Sequence, residues 1–428
     1  MRLFFVFILF LQVSNTWSRE TAETFDPIEI RSDFKVLYDG LRQSAFDIYA
    51  LTSREELDRH YKRMSATFRE PMTCFEIETE FKRFVARIHQ AHARIESDYS
   101  GYLAYRASGG AGFPLSIEVV NNRLVVTRNN SSSDRIKPGD IITVIGRKSV
   151  PELLPRLTEH ISAESTQFAE ALLEIYMPLL ICLELGSADS YRVEISHLDD
   201  SSGIYELRER ASVSEQHTAP SFSLDGRENR MLTKTIAYLR PGAFHKTNLD
   251  AETYDSTEFI AFIDAAFGRF IRQKAKQLIL DLRDNPGGGN SFSDPLIVWF
   301  ADRPFRFASK FQVRISEHSR VANDKRLETG LNETNAISQL YAELYRSQKD
   351  GDVALFQIPL TNPREGSRFE GDVFVLVNRR SFSNTVTVGA LIQDYNFGLV
   401  MGEETVDMAT TFGAMEQFTL PNTARVLP

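Results

Sequence analysis

The sequence predicts a multidomain α/β chain: a helical N-terminal region, a small β domain, and a C-terminal α/β core with a mostly parallel sheet. Three observations carry this. The chain has 428 residues, 42% hydrophobic and 25% charged, which is ordinary for a globular protein and long enough for more than one core. The spacing of apolar residues changes character near residues 107 and 231. From Thr233 onward, continuous apolar strands alternate with amphipathic helices, the pattern of a parallel sheet covered on both faces.

Taken in order, residues 1–18 read as a secretory signal. Arg2 precedes an uninterrupted apolar stretch from Leu3 to Leu11, and Thr16 and Ser18 are small residues suited to cleavage after Ser18. That stretch is too short to span a bilayer, so the expected product is secreted or periplasmic, without stable membrane insertion. Residues 19–107 are expected to be helical, because Phe75, Ile77, Phe81, Phe84, Ile88 and Ile95 recur at roughly helical intervals. Residues 108–195 switch to short alternating strands with turns at Asn121-Asn122 and Pro138-Gly139, then a helix from near Pro151. Residues 196–230, rich in Ser, Asp, Glu and Arg, read as a solvated connector.

The core occupies 231–428. "TIAYL" is a strand, and "DSTEFIAFIDAAFGRFI" is a helix with Phe259, Ile263, Phe267 and Phe270 on one stripe. Asp255 and Glu258 form a variant of the capping box for it. A strand at 278–282, a helix at 335–347, the strand "VFVLV" at 373–377, the helix "NTVTVGALIQDY" and the strand "GLVMG" follow.

Charge and cysteine content narrow the function. The net charge is −9 with no long basic run, so nucleic acid is not an expected partner. Cys74 and Cys182 are the only cysteines, and the sequence leaves open whether they pair or stay separate thiols. Two distant cysteines and scattered histidines supply no metal-ligand spacing, and no metal or organic cofactor is implied. Asn129, Asn130 and Asn332 are glycosylation acceptors only where the host modifies them.

Two strand ends concentrate the chemistry. Strand 278–282 ends on Arg283, Asp284 and Asn285, then Pro286 and the three glycines Gly287, Gly288 and Gly289. Strand 373–377 ends in "VNRRSFSNT", a hydroxyl-rich turn leading into a helix. Ligands of such sheets sit at the carboxyl ends of the strands. A serine at a helix start gains from the helix dipole, and N–H groups there can hold an oxyanion, with the glycine turn as second donor. A nucleotide-phosphate loop is disfavoured, since neither GxGxxG nor GxxxxGK[ST] is present.

In order and spacing, "LILDLRDNPGGGN", "VFVLVNRRSFSNTVTVGALIQDY" and "GLVMGEET" resemble the carboxyl-terminal-processing (tail-specific) serine peptidases and the tricorn protease core. "IKPGDIITVIGRKSV" is similar to the latter half of a PDZ domain, which makes 108–195 a PDZ-like domain on this resemblance, with "GAGFPLSI" as its peptide-binding edge. The resemblance implies an α/β serine peptidase core that cleaves protein or peptide substrates, near C-terminal tails, through an acyl-enzyme.

The chain departs from the family's Ser/Lys dyad. "GEETVDMAT" puts Met408 near the lysine's place, and no lysine follows Lys349. The tricorn branch uses a histidine from upstream, and "IHQAHARI" resembles that segment, so His92 is the candidate base with His89 as second choice. Ser383 is the candidate nucleophile. Ser381 is the less suited option, and alignment on "VGAL" would instead put Asn384 at the serine position. Glu403 and Glu404 are the candidates to orient His92, although the tricorn-type glutamate lies further downstream, so that the third member is otherwise absent or replaced by another residue; N–H groups of Gly288 (or Gly287) and Asn384 would hold the oxyanion. The family usually continues past the point where this chain stops, at Pro428, which reads as a core truncated at its C-terminus. With an ordinary histidine as base, activity should rise with pH between about 6 and 7.5. The rival readings are a catalytically inactive peptide-binding relative and a carrier of apolar ligands on the same core.

Overall fold

The computed structural model describes residues 24–95, 102, 105–106, 109–210, 226–247, 255–329, 332–413, 417–423 and 426–427. The signal-like residues 1–18 lie outside them. The chain divides into two units, one built from Ser100–Leu153 and Met177–Thr218, the other from Phe25–Tyr99, Leu154–Tyr176 and Ala219–Pro428.

The second unit opens with strand β1 (Thr24–Phe25), which pairs with β2 (Met72–Thr73), and three helices, α1 (Pro27–Ser44), α2 (Arg54–Ser65) and α3 (Cys74–Ala86). Their starts are written in the sequence. Asp26 with Glu29, and Thr73 with Glu76, form reciprocal capping boxes, and Ser53 caps α2 through the Glu56 N–H. Phe34, Phe81 and Phe84 meet in an aromatic cluster with Ile30 and Leu37, and Phe418 and Leu420 from the far end of the chain join it. Asp33, fully buried, ties that end down by accepting hydrogen bonds from the backbone N–H of Asn422 and Thr423 at 3.0 and 2.8 Å.

The expected helical run to 107 stops sooner. After Ala86 the chain turns, with His89 in a left-handed conformation (φ +59°). The N–H groups of Gln90 and Ala91 donate to side chains of Ser162 and Glu164, not to carbonyls one turn back, so no helix can continue there.

The first unit holds an antiparallel sheet of β3 (Leu115–Val120), β4 (Arg123–Asn129), β5 (Ile141–Ile145), β7 (Tyr191–Ser196) and β8 (Ser202–Leu207) in that spatial order, with β6 (Lys148–Ser149) paired to β5. Asn121 and Asn122 both take positive φ, +51° and +59°, which is the two-residue hairpin geometry that matches strand twist. Buried Leu115, Ile117 and Val119 alternate along β3 with partly exposed residues. β8 lies inside the stretch expected to be a connector. Its residues alternate between exposed and half-buried on an edge strand, so its composition reads as solvated although its backbone is paired. The Asn129 amide donates to the carbonyls of Ser133 and Ile136, which engages that glycosylation acceptor within its own loop. Helices α4 (Val150–Thr158) and α5 (Thr166–Leu185) follow β6 in the chain. Cys74 and Cys182 are not joined to each other by a disulfide.

The second unit also contains the core sheet, in the order β15 (Leu399–Gly402), β14 (Asp372–Val377), β11 (Gln277–Asp281), β10 (Ile236–Arg240), β9 (Glu228–Met231). β10, β11, β14 and β15 run parallel to their neighbours, and β9 closes the edge antiparallel. Helix α6 (Thr257–Arg272) packs Phe259, Ile263, Phe267 and Phe270 against this sheet. Its N-cap is Ser256, and Asp255 accepts the Thr257 N–H, so the expected capping box is not formed. Along the chain, helices α8 (Glu317–Thr329) and α9 (Asn332–Arg346) separate β12 (Gln312–Arg314) from β13 (Val353–Leu355), which pair antiparallel, as do β16 (Phe418–Thr419) and β17 (Val426–Leu427).

The expectation of a mostly parallel architecture therefore needs correction. Among the strand pairings with described register, eight are antiparallel and three parallel. The inference from buried apolar strands applied to four neighbouring strands only. Elsewhere β3–β4, β5–β6 and β7–β8 are joined by short turns, which permit antiparallel pairing alone, and β5–β7 and β12–β13 pair antiparallel across longer helical connections. Among the described residues no helix is long and apolar enough to cross a membrane.

Candidate active site

The site lies at the carboxyl ends of β11 and β14, within the second unit. Past β11 the chain passes through Asp284 (φ +58°), Gly287 (φ +88°) and Gly288 (φ +130°) into helix α7 (Asn290–Ile297). The glycines are there for two reasons, backbone conformation and close approach. A Cβ on Gly288 would stand 2.0 Å from the Phe244 carbonyl oxygen, because Phe244 exchanges hydrogen bonds of 2.8 Å with the Gly287 carbonyl and the Gly289 N–H. A Cβ on Gly287 would stand 2.6 Å from the Phe382 carbonyl oxygen and 2.8 Å from the Asn384 nitrogen. The glycine turn thus packs directly on the turn after β14.

That second turn is held by a hydrogen-bond net. Asn378 exchanges bonds with Asp284, its Oδ1 accepting the Asp284 N–H and its amide donating to Oδ1 at 3.0 Å. Ser381 is buried, donates to the Leu282 carbonyl at 2.9 Å and accepts the Asn378 N–H. Its hydroxyl is spent on structure. Asn285 accepts the Phe382 N–H on its carbonyl and the Gly287 N–H on its side chain, both at 3.0 Å. The result is Ser383 at φ +54° and ψ −125°, immediately before helix α10 (Asn384–Asp394). A serine in that conformation is strained and persists only where its surroundings over-determine it.

His92 is the partner of Ser383. Its Nε2 lies 3.0 Å from Ser383 Oγ. The ring is 4% exposed and stacks on Phe382 at 5.0 Å, and Phe382 in turn packs against Phe168. Ser162 clamps the segment by accepting the Gln90 N–H and donating to its carbonyl at 2.9 and 2.7 Å, while Glu164 accepts the Ala91 N–H at 3.1 Å. Burial, with a smaller contribution from the Arg94 charge, pushes the His92 pKa down to about 4. Its Nδ1 is buried without a protein partner among the described residues.

The structure thus brings together Ser383, His92, Gly287, Gly288 and Asn384, and leaves other expected residues apart. His89 is exposed on the preceding turn. Asn384 sends its amide to Ser293 Oγ at 3.0 Å from the first position of α10. Among the described residues neither the Gly288 nor the Asn384 backbone N–H donates to a protein acceptor, whereas the Gly287 N–H is taken by Asn285. Glu403 is exposed and accepts the Arg379 N–H at 3.1 Å, and Glu404 is exposed as well. The sequence placed Glu403 by its position after the last strand, but that position caps the neighbouring turn.

Two carboxylates escaped the sequence reading. Asp407, buried, accepts the Ser383 N–H at 2.7 Å, and Glu164 holds the residue before His92. Neither sits in a local motif, so nothing short of the fold could nominate them.

The profile described as peptidase family S41 matches residues 235–423. None of the curated proteins compared matches the chain. A mutant of CPAF superposes with a TM-score of 0.63 at 12% identity, over 94% of this chain and 88% of that one. Mature CPAF in complex with lactacystin gives 0.61 at 13% identity, over 94% and 89%. The photosystem II D1 C-terminal processing protease gives 0.45 at 14% identity, over 93% and 86%, too low a score to argue from. At such identities the likeness to CPAF establishes the fold.

Proposed function

We propose, for a chain whose residues 235–423 belong to peptidase family S41, that Ser383 and His92 form the working dyad of a serine peptidase acting on protein or peptide substrates. One observation carries the reading: the 3.0 Å approach of His92 Nε2 to the hydroxyl of a serine held in a strained strand-to-helix turn. With its proton on Nδ1, neutral His92 accepts the Ser383 hydroxyl proton as Oγ bonds to the scissile carbonyl carbon. The carbonyl oxygen becomes an oxyanion and is met by the N–H groups of Gly288 and Asn384, at the positive end of α10. The imidazolium returns the proton to the leaving amine, the C–N bond breaks, and an acyl-serine remains. Water, deprotonated by the same imidazole, then releases the acid and restores Ser383.

A base with a pKa near 4 is fully neutral at neutral pH but accepts protons weakly. The reaction therefore leans on the oxyanion donors and on the pre-set turn. We read export from the apolar stretch Leu3 to Leu11, and the first unit as a peptide reader on its "IKPGD" turn. Peptide-library cleavage by the full protein beside Ser383→Ala tests the function. Cleavage by the wild type alone supports it, and no cleavage by either leaves the binding-only relative as the reading.

A further inference from the structure

The Asp407 carboxylate stands inside the site with no task in the dyad chemistry. It is 4% exposed, and its two oxygens accept the N–H groups of Ser383 at 2.7 Å and of Met408 at 2.8 Å. Burying a carboxylate is costly, so a buried one points to something it holds. What it holds is the Ser383 N–H, a backbone donor that the strained turn does not itself satisfy. Ser383 sits at φ +54°, its N–H lies outside the helix ladder of α10, and an unmatched buried N–H would press the peptide to rotate. Such a rotation would swing Oγ away from His92 and disturb the first N–H of α10.

We propose that Asp407 is a positioning residue for the nucleophile: its carboxylate takes the Ser383 N–H, fixes the left-handed turn that aims Oγ at His92, and leaves the Gly288 and Asn384 N–H groups to the oxyanion. The proposal rests on the reading of Ser383 as nucleophile. It also explains why the Ser383 N–H is itself no oxyanion donor. Burial raises the Asp407 carboxyl above its ordinary range, while the Ser383 and Met408 N–H groups draw it back. Asp407 in turn acts electrostatically on Glu164, whose carboxyl is raised by burial first and also by the Asp407 charge. The carboxylate is the working form, so its contribution is present above the Asp407 pKa and lost as pH falls through it.

The test compares Asp407→Ala, Asp407→Asn and Ser383→Ala in the full protein, using labelled casein and a fluorophosphonate probe. Loss of positioning by roughly an ångström costs on the order of 10²-fold, so Asp407→Ala should lose about that much in kcat with little change in KM. Probe labelling should slow in parallel. Asp407→Asn still offers an oxygen to the Ser383 N–H. It should recover most of the loss and drop one ionisation from the acid limb of kcat/KM. An Asp407→Ala enzyme with wild-type kcat beside an inactive Ser383→Ala overturns this proposal alone, as does a loss confined to KM or one that Asn does not relieve. Should Asp407→Ala fail to fold, the Asn variant decides: an unchanged acid limb overturns the proposal. Activity that survives Ser383→Ala removes the nucleophile reading and this one with it.

Discussion

The turn that carries Ser383 and the segment that carries His92 belong to the same unit and meet at 3.0 Å, yet they are built in opposite ways. The nucleophile turn is over-determined: Asn378, Ser381, Asn285 and Asp407 each contribute hydrogen bonds, and glycine lets a second loop pack against it. The segment of His92 is held by Ser162, Glu164 and the bond from the Gln90 amide to the Asp47 carbonyl, and among the described residues the ring nitrogen His92 Nδ1 is buried without a protein partner. Strain sits where the surroundings can hold it. Each variant below loosens one side and asks whether the other compensates.

The largest effect is expected from removing either reacting group. Ser383→Ala and His92→Ala should each lower kcat by roughly 10⁴–10⁶-fold, and the double variant should lose little more, because they act as one unit. Steady-state kinetics on the three variants would expose independent action as a further, multiplicative loss in the double variant.

Next comes Gly287→Ala. The added Cβ meets the Phe382 carbonyl at 2.6 Å in a conformation, φ +88°, that alanine rarely adopts. Displacing the oxyanion donors should cost on the order of 10²–10³ in kcat. Wild-type turnover in a folded Gly287→Ala enzyme would mean that the packing of the two loops is irrelevant to catalysis.

The pH profile separates the two sides. A neutral base is required, so activity is present above the His92 pKa and lost as pH falls through it, near about 4. That replaces the rise between about 6 and 7.5 expected from an ordinary histidine, and burial is the reason. Asp407→Asn shows the His92 limb in isolation, and a rise between 6 and 7.5 in that variant would contradict the account. A smaller change is expected from Ser162→Ala, which removes both bonds to Gln90. It should cost about 1–3 kcal/mol in denaturant unfolding, since buried groups lose their partner.

How much of this was legible depended on whether the determinant was local. The glycine turn, Ser383 before α10, and the capped helices could be read because each rests on adjacent residues. His92 was reachable only through resemblance, since "IHQAHARI" looks helical and its turn exists because Ser162 and Glu164 take its N–H groups. Sheet direction misled for the same reason: apolar continuity describes burial, and pairing direction is set by connections. Asp407 and Glu164 act through space. Glu403 looked right by its position after β15 and proved to be a cap on Arg379. Glu403→Gln should accordingly change kcat less than about twofold, as surface substitutions away from such features do.

The central claim is that Ser383 is the activated nucleophile. Peptide mapping of the wild-type protein after fluorophosphonate treatment tests it most directly. The account predicts one adduct, on Ser383, that is strongly slowed in His92→Ala. No adduct, or one on another serine while Ser383 stays unmodified, would contradict it.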